Sequence, residues 1–440
     1  MNIQPFGKLI ARVLIVYTAS LSNSSAIAQA ASAQLLFKLT APDPQPVGHF
    51  GETLAVADGD IVVGEPLYLE GNEPYVGQAY LFDGQTGQLE ITFKNPHPTR
   101  EDTFGQALAG GDGKVFIAAG ALNDENRVYV YDKLSGDVLH EIESPATRPD
   151  GFGSAIAYGY GGLLVSSPSF TILGQQFPVG QAHLFSAESG QLIRTLPNPE
   201  PKQVDAFGIG NSLSVLRNNV VVGAMLDDLP NDTRPDGDNP GRVWVFNRQT
   251  GGVAFTLENP NPESELSDWF GASIAADEDF IVVGAQEDGT SGAPGSGTVY
   301  VFDTHTGDLL HTLFSPENQE EGEFGRAVAL TPSGDVVVGA WATDVNGIER
   351  AGRAYLFDGE TGSLLLDIAN PAPSFAANFG WSVAALENRI VVGARNTTVD
   401  GLPFAGAVYV FTIVPEPSAF ALAVIAAAMG VVLCKRRRKF

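Results

Sequence analysis

Hydrophobic residues in this chain fall in short runs, not in helical stripes. Ile281-Val282-Val283-Gly284-Ala285 and Ile390-Val391-Val392-Gly393-Ala394 are typical, and Leu164-Val165-Ser166-Ser167 is a weaker copy. Each run follows a Phe-Gly pair: Phe50-Gly51, Phe104-Gly105, Phe152-Gly153, Phe207-Gly208, Phe270-Gly271, Phe324-Gly325 and Phe379-Gly380. A second apolar run comes next, such as Val299-Tyr300-Val301-Phe302-Asp303 or Ala354-Tyr355-Leu356-Phe357-Asp358. A Thr-Gly turn with a further strand follows, as in Thr306-Gly307-Asp308-Leu309-Leu310-His311-Thr312-Leu313. Pro-rich segments such as Asn259-Pro260-Asn261-Pro262 then lead to the next Phe-Gly. A unit recurring roughly every fifty residues is the signature of a repeat architecture.

Each unit reads as four short strands separated by turn signals. The two middle strands are apolar at successive positions, which is expected where both faces of a sheet are covered. Radially stacked blades cover one another in this way. The glycine after each Phe is expected to allow close backbone approach at the narrow hub, with the Phe wedged between blades. The seventh unit has its third strand, Val408-Tyr409-Val410-Phe411, but no Thr-Gly strand after it. Its missing strand stands at the other end of the chain, where Ser32-Ala33-Gln34-Leu35-Leu36-Phe37-Lys38-Leu39 copies Thr306 to Leu313. Joining the two ends as a "velcro" closes a ring and removes the open ends of a linear array. The fold class predicted is therefore all-β: a seven-bladed β-propeller of four-stranded antiparallel blades over residues 29–413, closed by an N-terminal strand.

The ends read as addresses. Residues 1–28 have the form of a signal peptide: Lys8 and Arg12, an apolar run from Val13 through Leu21, and Ala26-Ile27-Ala28 before the cleavage point. Signal peptidase is the partner this implies. At the other end Pro415-Glu416-Pro417 precedes an apolar run, Cys434 and the cluster Lys435-Arg436-Arg437-Arg438-Lys439. Residues 414–440 resemble the bacterial PEP-CTERM sorting signal. The resemblance implies recognition by an exosortase, passage through the membrane on a short segment at 419–434, and delivery to the cell surface, outer membrane or extracellular matrix of a Gram-negative-type bacterium. Cys434 is the lone cysteine, so no intramolecular disulfide forms and stability rests on burial.

Net charge changes the picture of partners. The chain carries −26 overall, and seven of its 25 Lys and Arg lie in the two end segments, so the middle is more acidic still. Such a field repels nucleic acid and anionic membrane. The repeats of residues 34–413 resemble FG-GAP repeats, the units of integrin-α-type propellers, in each Phe-Gly and each Val-Val-Gly-Ala-like segment. The resemblance implies a propeller used for extracellular recognition. Calcium-binding members carry an Asp-x-Asp-x-Asp-Gly-like loop between the first two strands. The loops here are short, such as Asp58-Gly59-Asp60 and Glu387-Asn388-Arg389, and lack that ligand series. Calcium therefore has no family-type loop, and no cofactor or metal residue is assigned.

Length variation concentrates between strands two and three, shortest from Gly120 to Asn126 and longest from Gly223 to Gly241. That long loop holds Asp232, Asp236, Asp238 and Asn239, the candidate binding loop, although a solvated acidic loop is the plainer reading. The six histidines are scattered, and His140 and His311 share one slot on the outer strand. Trp244, Trp269, Trp341 and Trp381 occupy unequal repeat positions, unlike the regular tryptophans of quinone-dependent propeller dehydrogenases. No catalytic constellation is traceable. The expectation is a non-enzymatic binding or adhesion module for a polysaccharide or protein. The alternative is a propeller hydrolase, lyase or quinone-dependent dehydrogenase with carboxylates converging at the channel mouth.

Overall fold

The computed structural model describes residues 31–71, 75–120, 126–146, 150–168, 180–200, 206–227, 240–262 and 267–415. Residues 1–28, Glu416, Pro417, the segment 419–434 and the loop residues Asp232, Asp236, Asp238 and Asn239 lie outside the described residues. Pro415 is described, as the last residue of the strand Ala407–Pro415. Among the described residues every regular element is a strand, and no helix is long and apolar enough to cross a membrane.

The strands form seven four-stranded sheets, the blades of a β-propeller. In the fifth blade the order outward is Ser273–Ala276, Phe280–Ala285, Thr298–Asp303 and Leu309–Phe314, each antiparallel to the next. Innermost strands of consecutive blades touch in turn, and Phe379–Leu386 of the seventh blade meets Thr53–Ala57 of the first. The fourth place in the seventh sheet is taken by Ala31–Leu39, beside Ala407–Pro415. Leu39 of that strand is buried, Phe37 packs against the core it enters, and the Lys38 ammonium stands 5.7 Å over the Tyr409 ring.

Burial explains the sequence pattern. The second and third strands of a blade are buried along nearly their whole length, as in Val336–Ala340. The outer strand Leu309–Phe314 is largely exposed and buries only Leu313. Each core cluster spans a blade boundary: Phe50, Tyr80 and Phe82 of the first blade pack on Val391, Val408 and Val410 of the seventh. Every Phe of a Phe-Gly pair lies on the aromatic residues of its own third strand. Phe324, for example, meets Tyr355 at 5.7 Å and Phe357 at 5.8 Å between ring centroids. The Phe324 N–H donates to the Ser296 carbonyl of the preceding blade at 2.9 Å, so the residue pins two blades as well as filling the gap.

Two expectations about Phe-Gly are corrected. The pair precedes the first strand in five blades, as in Phe50-Gly51 before Thr53–Ala57, and lies inside it only in Phe324–Leu330 and Phe379–Leu386. There the ladder shifts register between Phe324 and Ala327 and between Phe379 and Ser382. The cause is the left-handed backbone at the glycine, φ 92° at Gly380, which interrupts regular pairing. The close approach is also between neighbouring blades, not at the hub. A Cβ on Gly380 would run into the Arg353 carbonyl oxygen on the third strand of the sixth blade, and one on Gly352, just before that strand at φ 87°, into the Phe379 carbonyl oxygen.

The seam between the last and first blades is built like the others. Ser382 Oγ donates to the Gly51 carbonyl at 2.7 Å, as Ser273 Oγ does to Gly325 at 2.7 Å and Thr53 Oγ1 does to Gly105 at 2.6 Å.

The turns also have local causes. Asp303 Oδ1 accepts the N–H groups of His305 and Thr306, each at 2.8 Å, which fixes the Asp-x-x-Thr-Gly turn. These amides hold the Asp303 carboxyl below its usual range. Asn247 does the same work in the fourth blade. The Asn-Pro segments begin with a side chain that caps its own turn: Asn259 Oδ1 accepts the Asn261 N–H at 2.9 Å, and Asn259 Nδ2 donates to the buried Asp268 carboxylate at 2.7 Å. Asn259→Ala removes both bonds and is expected to cost about 1–3 kcal/mol in urea unfolding. A change within error would show the cap to be dispensable.

Candidate functional site

Strand order puts the loops joining strands two and three, and those leading from strand four to the next blade, on one face of the ring. At the centre of that face is a cavity of about 330 Å³. Its lining follows from the repeat. The residue directly after each Phe-Gly is, blade by blade, Glu52, Gln106, Ser154, Ile209, Ala272, Arg326 and Trp381, and five of these seven line the cavity. Around them stand the residues that follow each second strand, including Pro66, Gln286, Trp341 and Arg395. The residue before each Phe takes a left-handed backbone in all seven blades, and six of the seven are not glycine, such as His49 (φ 58°), Trp269 (φ 57°) and Glu323 (φ 51°). Non-glycine residues held there cost energy, and such strain gathers at functional rims.

Charged and aromatic chemistry concentrates on the sixth, seventh and first blades. Trp381 is the centre. The Arg395 guanidinium carbon lies 3.2 Å and that of Arg326 4.3 Å from its ring centroid, and Trp341 meets it edge-on at 5.2 Å. Arg395 Nη1 donates to both Glu52 oxygens, at 2.8 and 2.9 Å. Burial works against the charge on Glu52, but His49 and Arg395 together hold its carboxyl below the usual range. Burial pushes Glu323 up to about 7, although the Trp341 Nε1–H donates to it at 2.7 Å and pulls the other way. Gln286 Nε2 donates to the same Glu323 oxygen at 3.1 Å. Arg326 makes no side-chain hydrogen bond or ion pair among the described residues; burial disfavours its charge, Glu52 favours it, Arg395 repels it and Glu323 favours it. The buried Arg395 Nε also lacks an acceptor.

A carboxyl raised further lies inside the first blade. Glu65 stands where most blades have Ala, as at Ala285 and Ala394, and it is fully buried. Burial pushes it up to about 8, although it accepts the Tyr80 hydroxyl at 2.5 Å, and its other oxygen has no partner.

The opposite face holds a cavity of about 310 Å³ between Asp58, Gln85, Glu387 and Arg389. Its polar groups are already engaged: Asp58 accepts the N–H groups of Asp112 and Gly113, and Arg389 donates to the Gly84 carbonyl. Carboxylates in these short first turns thus join blades to each other. Among the described residues no group of three or more His, Cys, Asp or Glu is placed to hold a metal. His140 and His311 make equivalent contacts, to the Glu188 and Glu360 carbonyls of the next blade, so their shared slot is structural. His183 takes a tyrosine slot in the third blade and is buried beside Phe152, which lowers its pKa.

Residues 263–302, 312–357 and 373–411 match the FG-GAP repeat family. These three stretches are similar to FG-GAP repeats. No curated protein matches the chain. The matched stretches include the fifth, sixth and seventh Phe-Gly pairs, so Arg326, Trp341, Trp381 and Arg395 all sit on matched repeats. The four tryptophans occupy different slots, so no tryptophan repeat marks them. The signal that finds Trp381 and its neighbours is the slot itself: the position after Phe-Gly lines the cavity in five of seven blades, and the position after the second strand supplies Pro66 and Arg395.

Proposed function

We propose that this FG-GAP propeller is an exported, non-enzymatic binding module whose ligand meets the loop face at its central mouth. The observation that carries the reading is the cavity centred on Trp381, where two guanidinium groups crowd one indole and one of them, Arg326, makes no side-chain hydrogen bond among the described residues. Concave sites with apolar walls and a few unpaired polar groups are where ligands bind. FG-GAP repeats occur in extracellular or surface proteins, which agrees with export. On this reading residues 1–28 direct secretion, Pro415-Glu416-Pro417 and the following tail direct exosortase sorting, and Asp232, Asp236, Asp238 and Asn239 are further ligand contacts. A carboxylate-based enzyme would draw on Glu323, whose hydrogen bonds go to Trp341 and Gln286, a pairing that orders the indole rather than activating water.

The test is an array of glycans and peptides probed with the intact protein, with Trp381→Ala, and with Asp303→Asn. Asp303→Asn should keep the fold, because Asn247 fills that slot in the fourth blade. Signals lost in Trp381→Ala and kept in Asp303→Asn support the mouth. Signals that all survive Trp381→Ala refute it.

A further inference from the structure

Resting on that reading, we propose that the mouth selects an anionic sugar unit, a hexuronate, with its carboxylate on Arg326 and Arg395 and its hydroxyls on the neutral rim across the cavity. A chain of net charge −26 leads one to expect cationic partners. The mouth inverts that expectation locally. Among the described residues three basic side chains line it, His49, Arg326 and Arg395, against one carboxylate, Glu52. Glu52 is already committed to Arg395 and His49, the latter at 3.4 Å. Arg326 feels Glu52 and Glu323 nearby but bonds neither among the described residues, so its donors stand open at the wall of the cavity, and Arg395 keeps an unused Nε–H. A carboxylate offers the fork geometry that such a guanidinium matches.

The remaining walls decide between an acidic sugar and an acidic peptide. Blades two to four contribute Thr103, Gln106, Ser154 and Asn211, which are uncharged groups able to bond hydroxyls. A peptide ligand of several acids would need cations spaced along its length, and among the described residues those blades place none in the cavity. The volume of about 330 Å³ is at the lower end for ligand sites, enough for one ring and not for a long side-chain array. Trp381 lines the cavity beside both guanidinium groups, so its fluorescence reports occupancy.

The experiment titrates the intact protein with oligogalacturonate, with its methyl ester and with poly-glutamate, read by tryptophan fluorescence and calorimetry. Saturable binding of the free acid, with at least tenfold weaker binding of the ester, is expected. Arg326→Gln should weaken the acid by at least about tenfold, and Arg326→Lys should recover part of that, since a lysine keeps the charge but not the fork. Ester binding equal to the acid overturns the carboxylate assignment. If that ester binding is lost in Gln106→Ala, the mouth stands as the binding site while its anion selectivity falls. Poly-glutamate binding as tightly as oligogalacturonate overturns the choice of sugar. Acid binding unchanged in both Arg326→Gln and Gln106→Ala removes the mouth itself. The comparison of acid with ester needs no variant, so a misfolded Arg326→Gln leaves the proposal testable.

Discussion

Deletion of residues 31–40 is expected to make the protein aggregate and to lower its melting temperature by roughly 10 °C or more. The strand Ala31–Leu39 is the outer strand of the seventh blade, and it covers the edge of Ala407–Pro415. Val408, Tyr409, Val410 and Phe411 on that neighbour are all buried. Without the cover, a row of unpaired backbone groups flanked by large apolar side chains becomes a template for other chains. Leu39 and the half-buried Phe37 leave the cluster between the first and seventh blades at the same time. Light scattering and calorimetry check the result, and a peptide of residues 31–40 added in trans should restore part of the loss by strand addition. A deletion variant that stays dispersed and melts normally would mean that the seventh blade does not need its fourth strand.

Glu65→Gln is expected to stabilise the protein above pH 8 by a few kcal/mol and to change little near pH 4. Glu65 has an ordinary value of 4.5 and about 8 in the fold. The folded state therefore binds the Glu65 proton more tightly than the unfolded chain does. That contribution is fully present below about pH 4.5 and is lost as pH rises through about 8. Glutamine keeps the shape and the bond to the Tyr80 hydroxyl but has no proton to lose. Urea unfolding at pH 4, 6 and 9 should show the two proteins converging at the acid end and separating at the alkaline end. Parallel profiles would place the carboxyl in a wetter environment than full burial implies.

Much of the architecture is legible in the sequence because the propeller repeats its causes. Phe-Gly, the doubly apolar middle strands and the Thr-Gly turn each have one physical job, repeated around the ring, and the copy of the Thr-Gly strand at Ser32 to Leu39 points to the seventh sheet. Finer features escape because they depend on the neighbouring blade. The bulge at Leu310, which the ladder skips between Val301–His311 and Phe302–Leu309, leaves no compositional trace. Gly352 looks like any turn glycine until Phe379 is set against it. The mouth is less legible than the blades. Loop length and acidity do not point to it, because Trp381, Arg326 and Arg395 occupy slots of fixed length whose residues vary. Comparing those slots across blades, rather than the loops, exposes the crowding of charge and indole on the sixth, seventh and first blades.

The strand Ala31–Leu39 also sets the order of events in the life of the chain. It is among the first described residues to leave the ribosome and pairs with nearly the last of them, Ala407–Pro415. A contact of such sequence separation forms late, after its loop-closure cost has been met by other contacts. Until then the nascent ring has two raw edges and no locked state. The clasp cannot fasten until the chain is made through Pro415, so any shorter product stays open.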